Sequence, residues 1–543
     1  MVFARRSTTL LAAIIASCAM VLSLTACTSD NKTVVDGQTT VTSNSAGGVA
    51  VFTPSDGITL NQQTPLNKWA KLVPDLTKAL VDAGFKKGDI NHTTSDSLDK
   101  QSRAIQDFVV DHLSNNTTDD SGIAIAPDNM TLLVAPVVEA DASTRQYGDY
   151  ISQNLSTNDA TDGEATSDGE SSEDDSSKDD SSNTESDSTA SDEQAQAVDR
   201  LVSSLKLAKE SGMHVVLLGN SIEGYKPDAF VKFSDAQTIG KLQAEKMVSK
   251  LKLDKASKDN PKYIEVLLPY TAVDEKGNAN DSTFAQEAFR GIWQVLGSYY
   301  QKGVVESPSG TLDGKSTEND WQAVAYDAAK EGSTAKVLDK RLAKTDGQST
   351  LTRIDGIITM NDYIASEVVK ELDDLGYTGS AADINPQITI SGIVGNITGK
   401  KDLSRDAVPD PIKSPENDNA NDSSSSDDDA DKDTSASDKD RDSQWPLVTG
   451  YGAYVSNIPS IVNGKQWMTG MEDRQTIATD IAQACAKLNK DEALNSMPSI
   501  RNSEVGGVKK IPTISEPLLA VSASNLKSAL IDPGYISLAD AGL

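Results

Sequence analysis

The chain has 543 residues, 81 acidic against 50 basic side chains, a formal charge of −31, three cysteines and 37% apolar residues. These figures exclude a small disulfide scaffold, a multi-span membrane protein and a general nucleic-acid binder, because phosphate backbones select basic surfaces. The charge is concentrated: residues 156–193 hold 14 acids and one lysine, and 415–443 hold 11 acids and three basic residues. With few apolar side chains to offset a chain entropy of roughly 1–2 kcal/mol per residue, both stretches read as disordered acidic insertions. Without them and the N-terminal region about 420 residues remain, more than one core usually supports, so two lobes are expected.

In chain order, Arg5 and Arg6 precede an apolar stretch from Leu10 to Leu24, and Leu24-Thr25-Ala26-Cys27 ends it with small residues before a cysteine. This pattern resembles a bacterial lipoprotein signal over residues 1–27, in which Cys27 is lipidated. An ordinary secretory signal and an uncleaved anchor are the alternatives, although the run is short for a spanning helix of about 20 residues. Acyl chains on Cys27 would tether the protein to the extracytoplasmic face of a membrane without embedding its folded part. Residues 28–47, rich in Ser, Thr, Asn and Asp, read as a flexible stalk. Cys18 leaves with the signal, so Cys485, in the apolar helical segment Thr476 to Leu488, has no partner and reads as a small buried hydrophobe.

Short apolar runs then alternate with helical patterns. Val49 to Phe52 reads as a strand, and Leu66, Trp69, Val73, Leu76 and Leu80 recur at helical spacing. Leu132 to Ala135, a helix from Val198 to Lys209, and His214 to Leu218 follow. Tyr263 to Leu268 precedes a helix carrying Phe289, Ile292, Trp293, Leu296 and Tyr300; Gly356 to Met360 and Pro446 to Thr449 come later. Strands apolar on both faces belong in parallel sheets, and right-handed crossovers make such a chain doubly wound, with ligands beyond the carboxyl ends of the strands.

Residues 211–243, SGMHVVLLGNSIEGYKPDAFVKFSDAQTIGKLQ, resemble a strand and crossover of type I periplasmic sugar-binding lipoproteins, the xylose-binding and multiple-sugar-binding branch of ABC importers. Asp355 to Asp362, Gly464 to Asp473 and Val508 to Tyr535 resemble further segments of that family. The resemblance implies an α/β protein of two doubly wound parallel-sheet lobes joined by a three-crossing hinge. The first lobe would span 48–234, completed by 473–495, the second 235–472, and 496–543 would be a tail packed across the hinge. It also implies a ligand held between the lobes by hinge closure and a permease that recognises the closed form.

A sugar presents paired hydroxyls and apolar C–H faces, so its pocket needs amide or carboxylate groups and aromatic platforms. The candidates are Phe52, Ser55, Asn220, Asp281, Phe284, Trp321, Asn361, Asp362, Tyr451 and Glu472. Trp321 resembles a family position that lends an aromatic to the ligand, with a core anchor as the alternative. Asn361 has an alternative role as a helix cap, Phe52 as core, and Asp281 as a turn residue in the loop from Asp274 to Ser282. Three departures alter the expected inventory. Gly450-Tyr451-Gly452-Ala453 has glycine where the family places a carboxylate, Glu472 stands where a lysine often precedes the aspartate of the third crossing, and Thr283-Phe284 replaces paired asparagines.

Chemistry is sparse. His92, His112 and His214 lie far apart and show no metal-ligand spacing. The stretch Gly310 to Ser316 has one residue too few between its glycines for a phosphate loop and no preceding apolar strand. Asp429 to Asp433 lacks the turn glycine and terminal glutamate of a calcium loop. No catalytic residue, metal site or cofactor is therefore expected. The leading expectation is the binding component of a sugar importer; a bilobal sensory or interaction lipoprotein facing a signalling partner is the alternative, and an enzyme the weakest.

Overall fold

The structure, a computed structural model, describes residues 32–35, 38–41, 46–56, 65–115, 125–138, 144–156, 185–273, 280–328, 330–343, 351–381 and 444–543. Cys27 and the signal, positions 157–184 and 415–443 of the acidic stretches, and 274–279 of the loop before Asp281 lie outside the described residues. Between residues 28 and 47, Lys32–Val35 and Gln38–Val41 pair as antiparallel strands.

The first lobe contains β1 (Gly48–Pro54), α1 (Trp69–Asp82), β2 (Ile90–Ser95), α2 (Leu98–Asn115), β3 (Met130–Val134), α3 (Glu185–Glu210), β4 (His214–Leu218) and β5 (Ala229–Val231). The second contains α4 (Ala236–Leu251), β6 (Lys262–Val266), α5 (Thr283–Gln301), β7 (Val305–Glu306), α6 (Ser333–Arg341), β8 (Gly356–Ile358), α7 (Asp362–Leu375), β9 (Leu447–Tyr451) and β10 (Met468–Met471). The chain then returns through α8 (Arg474–Leu488), the hairpin β11 (Ile500–Val505) and β12 (Val508–Ile514), and β13 (Leu519–Ser522).

The first sheet runs β11-β12-β5-β4-β3-β1-β2 and the second β7-β6-β8-β9-β10-β13. All neighbours are parallel except β11 with β12 and β10 with β13. Each lobe therefore repeats the doubly wound order in which the first strand lies between the second and third. The reason is burial: every residue of β3, β8 and β9 is buried, so these strands need helices on both faces. In the first lobe α1 and α8 cover one face and α2 and α3 the other; in the second, α4 and α5 face α6 and α7 across the sheet.

The chain passes between lobes three times: β5 to α4, β10 to α8, and β12 to β13. Asp235 and Asp473 cap the helices that follow the first two passages, accepting from the Thr238 and Thr476 amides. Glu472 thus lies on the second passage in chain order, not the third. α3 begins at Glu185, so residues 185–193 of the first acidic stretch are helical. Residues 496–543 supply strands to both sheets: β11 and β12 form an edge of the first and β13 an edge of the second. Beyond β13, Leu526, Leu530, Tyr535 and Ile536 pack with Leu66, Ile458, Ile461 and Met471. Tyr535 accepts from the Gln475 amide, donates to Asp473, and lies under the Arg474 guanidinium at 4.2 Å.

Candidate functional site

The lobes meet where the carboxyl ends of the strands of the second sheet face a segment of the first lobe, Thr144 to Ile151. Asn361 follows β8 and is fully buried. Its Oδ1 caps α7 by accepting from the Ile364 amide at 2.9 Å, and its Nδ2 donates to Oε1 of Gln146 at 3.0 Å. Tyr451, at the end of β9, accepts at its hydroxyl from Asn67 Nδ2 (3.0 Å) and shares a hydrogen bond with Ser234 Oγ (2.5 Å). Tyr454 donates to the Gln146 carbonyl at 2.6 Å. The Tyr147 ring is buried 4.7 Å from Phe284 and 6.3 Å from Tyr451, and Tyr147 and Ile151 join the core of the second lobe.

Glu472 is buried beside this cluster. Its Oε1 accepts from the Ser234 amide at 2.5 Å, joining the first two interlobe passages. Burial pushes its carboxyl up to about 7 against the opposing hydrogen bonds of Ser234. Asp362 is also fully buried. It accepts from Gln466 Nε2 (2.7 Å), Thr469 Oγ1 (2.9 Å) and the Tyr454 amide (2.9 Å), and burial outweighs these bonds to raise it to about 6. Asp149 is lifted to about 6 by burial, although its partner Lys68, at 2.9 Å, favours the charged form.

Two non-glycine residues with positive φ flank the junction: Met360 (68°) before Asn361, and Ala453 (50°) after Gly452. Such backbone strain concentrates where neighbouring structure fixes a functional geometry. The glycine in Gly450-Tyr451-Gly452-Ala453 has a steric role here. Gly452 has φ of 113°, and a Cβ there would stand 2.9 Å from the Tyr454 ring, so Tyr454 occupies the space a side chain would need.

Trp321 opens a single turn, Trp321–Val324, and its ring meets Tyr270 edge-on at 5.1 Å with 9% of its surface exposed. With Tyr270, Thr271, Tyr326 and Asp327 it lines a cavity of about 370 Å³. Thr271 Oγ1 donates to Asp327 Oδ1 at 3.0 Å. Neither Asn361, Tyr451 nor Asn220 lines this cavity.

The structure thus brings Phe284, Asn361, Tyr451 and Glu472 to one junction and places Trp321 on a separate wall of the second lobe. The other candidates have local duties. Phe52 lies in the first-lobe core, edge-on to Phe108 at 5.7 Å. Ser55 is exposed. Asn220 ties two loops, donating to the Pro136 carbonyl and accepting from the Gln153 amide, both at 2.9 Å. Asp281 accepts from the amide and hydroxyl of Thr283 at the start of α5, and Asp362 serves the interior of its own lobe. The residues that sequence reasoning missed are Asn67, Gln146, Tyr147, Ser234, Tyr270 and Tyr454. The one local signal was Tyr147-Gly148-Asp149-Tyr150: Gly148 has φ of 98°, and a Cβ there would lie 2.7 Å from the Asn67 carbonyl.

Among the described residues no cluster of three His, Cys, Asp or Glu is arranged to hold a metal ion, and no helix is long and apolar enough to cross a membrane. Cys485 is buried in the first-lobe core, and burial raises its thiol.

No family model matches the chain, and no curated protein matches it significantly. Solved structures do. An ABC transporter solute-binding protein from Clostridium phytofermentans with bound β-D-glucose is 17% identical, with 91% of this chain and 99% of that one covered and a TM-score of 0.45. A carbohydrate transporter solute-binding protein from Chloroflexus aurantiacus in complex with D-glucose is 17% identical (92% and 98% covered, TM-score 0.43). A periplasmic ribose ABC transporter protein from Conexibacter woesei is 14% identical (90% and 96%, TM-score 0.42).

Proposed function

We propose that the chain is an extracytoplasmic solute-binding protein of an ATP-driven importer, lipid-anchored through Cys27, which takes a carbohydrate between its lobes and catalyses nothing itself. The observation that carries this reading is the pair of doubly wound sheets joined by three passages, with amide and aromatic side chains of both lobes meeting at the junction. Two lobes on a hinge form a closure device, because a ligand that touches both stabilises the shut form. The cavity beside Trp321 adds an aromatic wall and a carboxylate, Asp327, of the kind a pyranose recruits. The membrane permease and the acyl anchor are the partners this reading requires; a nucleic acid is not.

The test is a thermal-shift screen of the full chain with D-glucose, D-xylose and D-ribose. A sugar at 100 times its dissociation constant adds roughly 2.7 kcal/mol. Trp321→Ala removes a ring from the second-lobe core, so the unliganded melt is expected to fall and the sugar shift measured from that lower melt to be abolished. A shift kept in full on the lowered melt would make Trp321 a core anchor alone, and a wild-type chain unmoved by every sugar would remove the carbohydrate from the reading.

One observation favours a second reading, a bilobal sensory lipoprotein that shows a closed shell to a signalling partner: Asn361 and Tyr451 already bond to residues of the chain itself.

A further inference from the structure

Resting on the solute-binding reading, we infer that Gln146 and Tyr147 are an internal guest: the chain fills its own interlobe cleft, and a neutral cyclic polyol such as a pyranose enters by displacing them.

The segment has two faces. On one it is fixed to the first lobe. The Asp149 amide donates to the Asn67 carbonyl at 2.8 Å, its carboxylate pairs with Lys68 and accepts from the Trp69 amide at 3.1 Å, and Tyr150 donates to the Lys68 carbonyl at 2.5 Å while stacking on Phe233 at 4.8 Å. On the other face it touches the second lobe through groups that a sugar also offers. The Gln146 side-chain oxygen takes the hydrogen bond of Asn361, the Gln146 carbonyl takes that of Tyr454, and the Tyr147 ring covers Phe284. Two acceptors and an apolar face are what a pyranose presents to an amide, a phenol and an aromatic ring.

The chemistry also sets the class of the incoming molecule. Phe284, Asn361, Tyr451 and Tyr454 carry no cation, and the nearby Lys68 is engaged by Asp149. The contact surface therefore suits a neutral polyhydroxyl ring better than a carboxylate or phosphate. Because the segment is anchored to the first lobe, hinge opening withdraws it whole. The apparent affinity for a sugar is then reduced by the fraction of molecules in which it is withdrawn, so weakening the internal guest strengthens binding of the external one.

The test is hydrogen exchange and small-angle scattering on the full chain, wild type, Tyr147→Ala and Gln146→Ala, the last removing no buried ring. Opening is expected to speed exchange in 144–151 and 450–454 by at least about tenfold, enlarge the radius of gyration, and leave protection in β3 and β8 unchanged. The tightest-binding of D-glucose, D-xylose and D-ribose is expected to gain about tenfold in apparent affinity in either variant. Wild-type exchange in 450–454 already as fast as in both variants would overturn the inference, as would opening accompanied by equal or weaker sugar binding, which would make Gln146 and Tyr147 ligand contacts. Opened variants that bind none of the sugars would leave the internal closure standing and overturn the carbohydrate reading instead.

Discussion

At the carboxyl ends of β1 and β4, Phe52 turns into the core and Asn220 ties one loop to another, whereas at the ends of β8 and β9, Asn361 and Tyr451 reach the junction between the lobes. Both lobes share one sheet order. The difference arises in the connections. The first lobe carries a long link between β3 and α3, and that link supplies Gln146 and Tyr147 to the junction, beside Leu66 and Asn67 before α1 and Ser234 after β5. Strand ends locate a site when the loops are short; a long loop can displace them from that role and take the contact itself.

The largest effect tests whether the half built from strand ends is as rigid as this comparison requires. Asp362 receives three hydrogen bonds in a fully buried place under the Tyr454 loop. Asp362→Ala takes a buried carboxylate acceptor from three donors, of which the Tyr454 amide has no other, and is expected to cost about 4 kcal/mol in urea unfolding. A loss below about 1 kcal/mol would mean that the loop carrying Tyr454 is free to rearrange, and the contrast between a fixed and a supplied half would fail.

The next effect is a pH dependence at the passage joining the halves. Glu472 titrates near 4.5 when exposed and is raised to about 7 by burial in the folded chain. The folded state therefore holds a proton that the unfolded state releases between these values. The resulting stability is fully present below pH 4.5 and is lost as pH rises toward 7, a change of about 3 kcal/mol. Glu472→Gln keeps an acceptor for the Ser234 amide and is expected to flatten the slope of unfolding free energy against pH. Asp362 and Asp149, raised to about 6, and Glu516, raised to about 7, add slopes of the same sign, so the difference in slope between wild type and Glu472→Gln, and not the wild-type slope alone, reads Glu472. An unchanged slope in the variant would mean that Glu472 is hydrated in solution and the hinge is looser than drawn.

How much of this was legible depended on whether the signal was local. Runs such as Leu132 to Ala135 and His214 to Leu218 announce parallel strands because both of their faces are buried, and the Asp473 cap stands directly before its helix. β2 gave no such signal, since Ile90–Ser95 is polar and mostly exposed along an edge, and the β11–β12 hairpin mixes charged with apolar residues for the same reason. At the site, Asn361 was legible both as cap and as contact, and it serves as both. Gln146 was not, because its partners Asn361 and Tyr454 are 215 and 308 residues away and nothing near it in sequence encodes them.

The smallest effect falls on the half whose strand ends stay at home. Asn220 accepts from the Gln153 amide and donates to the Pro136 carbonyl, so Asn220→Ala leaves one donor and one acceptor unsatisfied in a nearly buried place. A loss of about 2 kcal/mol in urea unfolding is expected. If Asn220 only holds loops together, the thermal shift given by a bound sugar should be unchanged once the lower starting melt is subtracted. The reverse pattern, stability kept and the sugar shift lost, would return the end of β4 to the binding surface. The first lobe would then present its strand ends to the ligand, and the long link between β3 and α3 would lose the role that the comparison gives it.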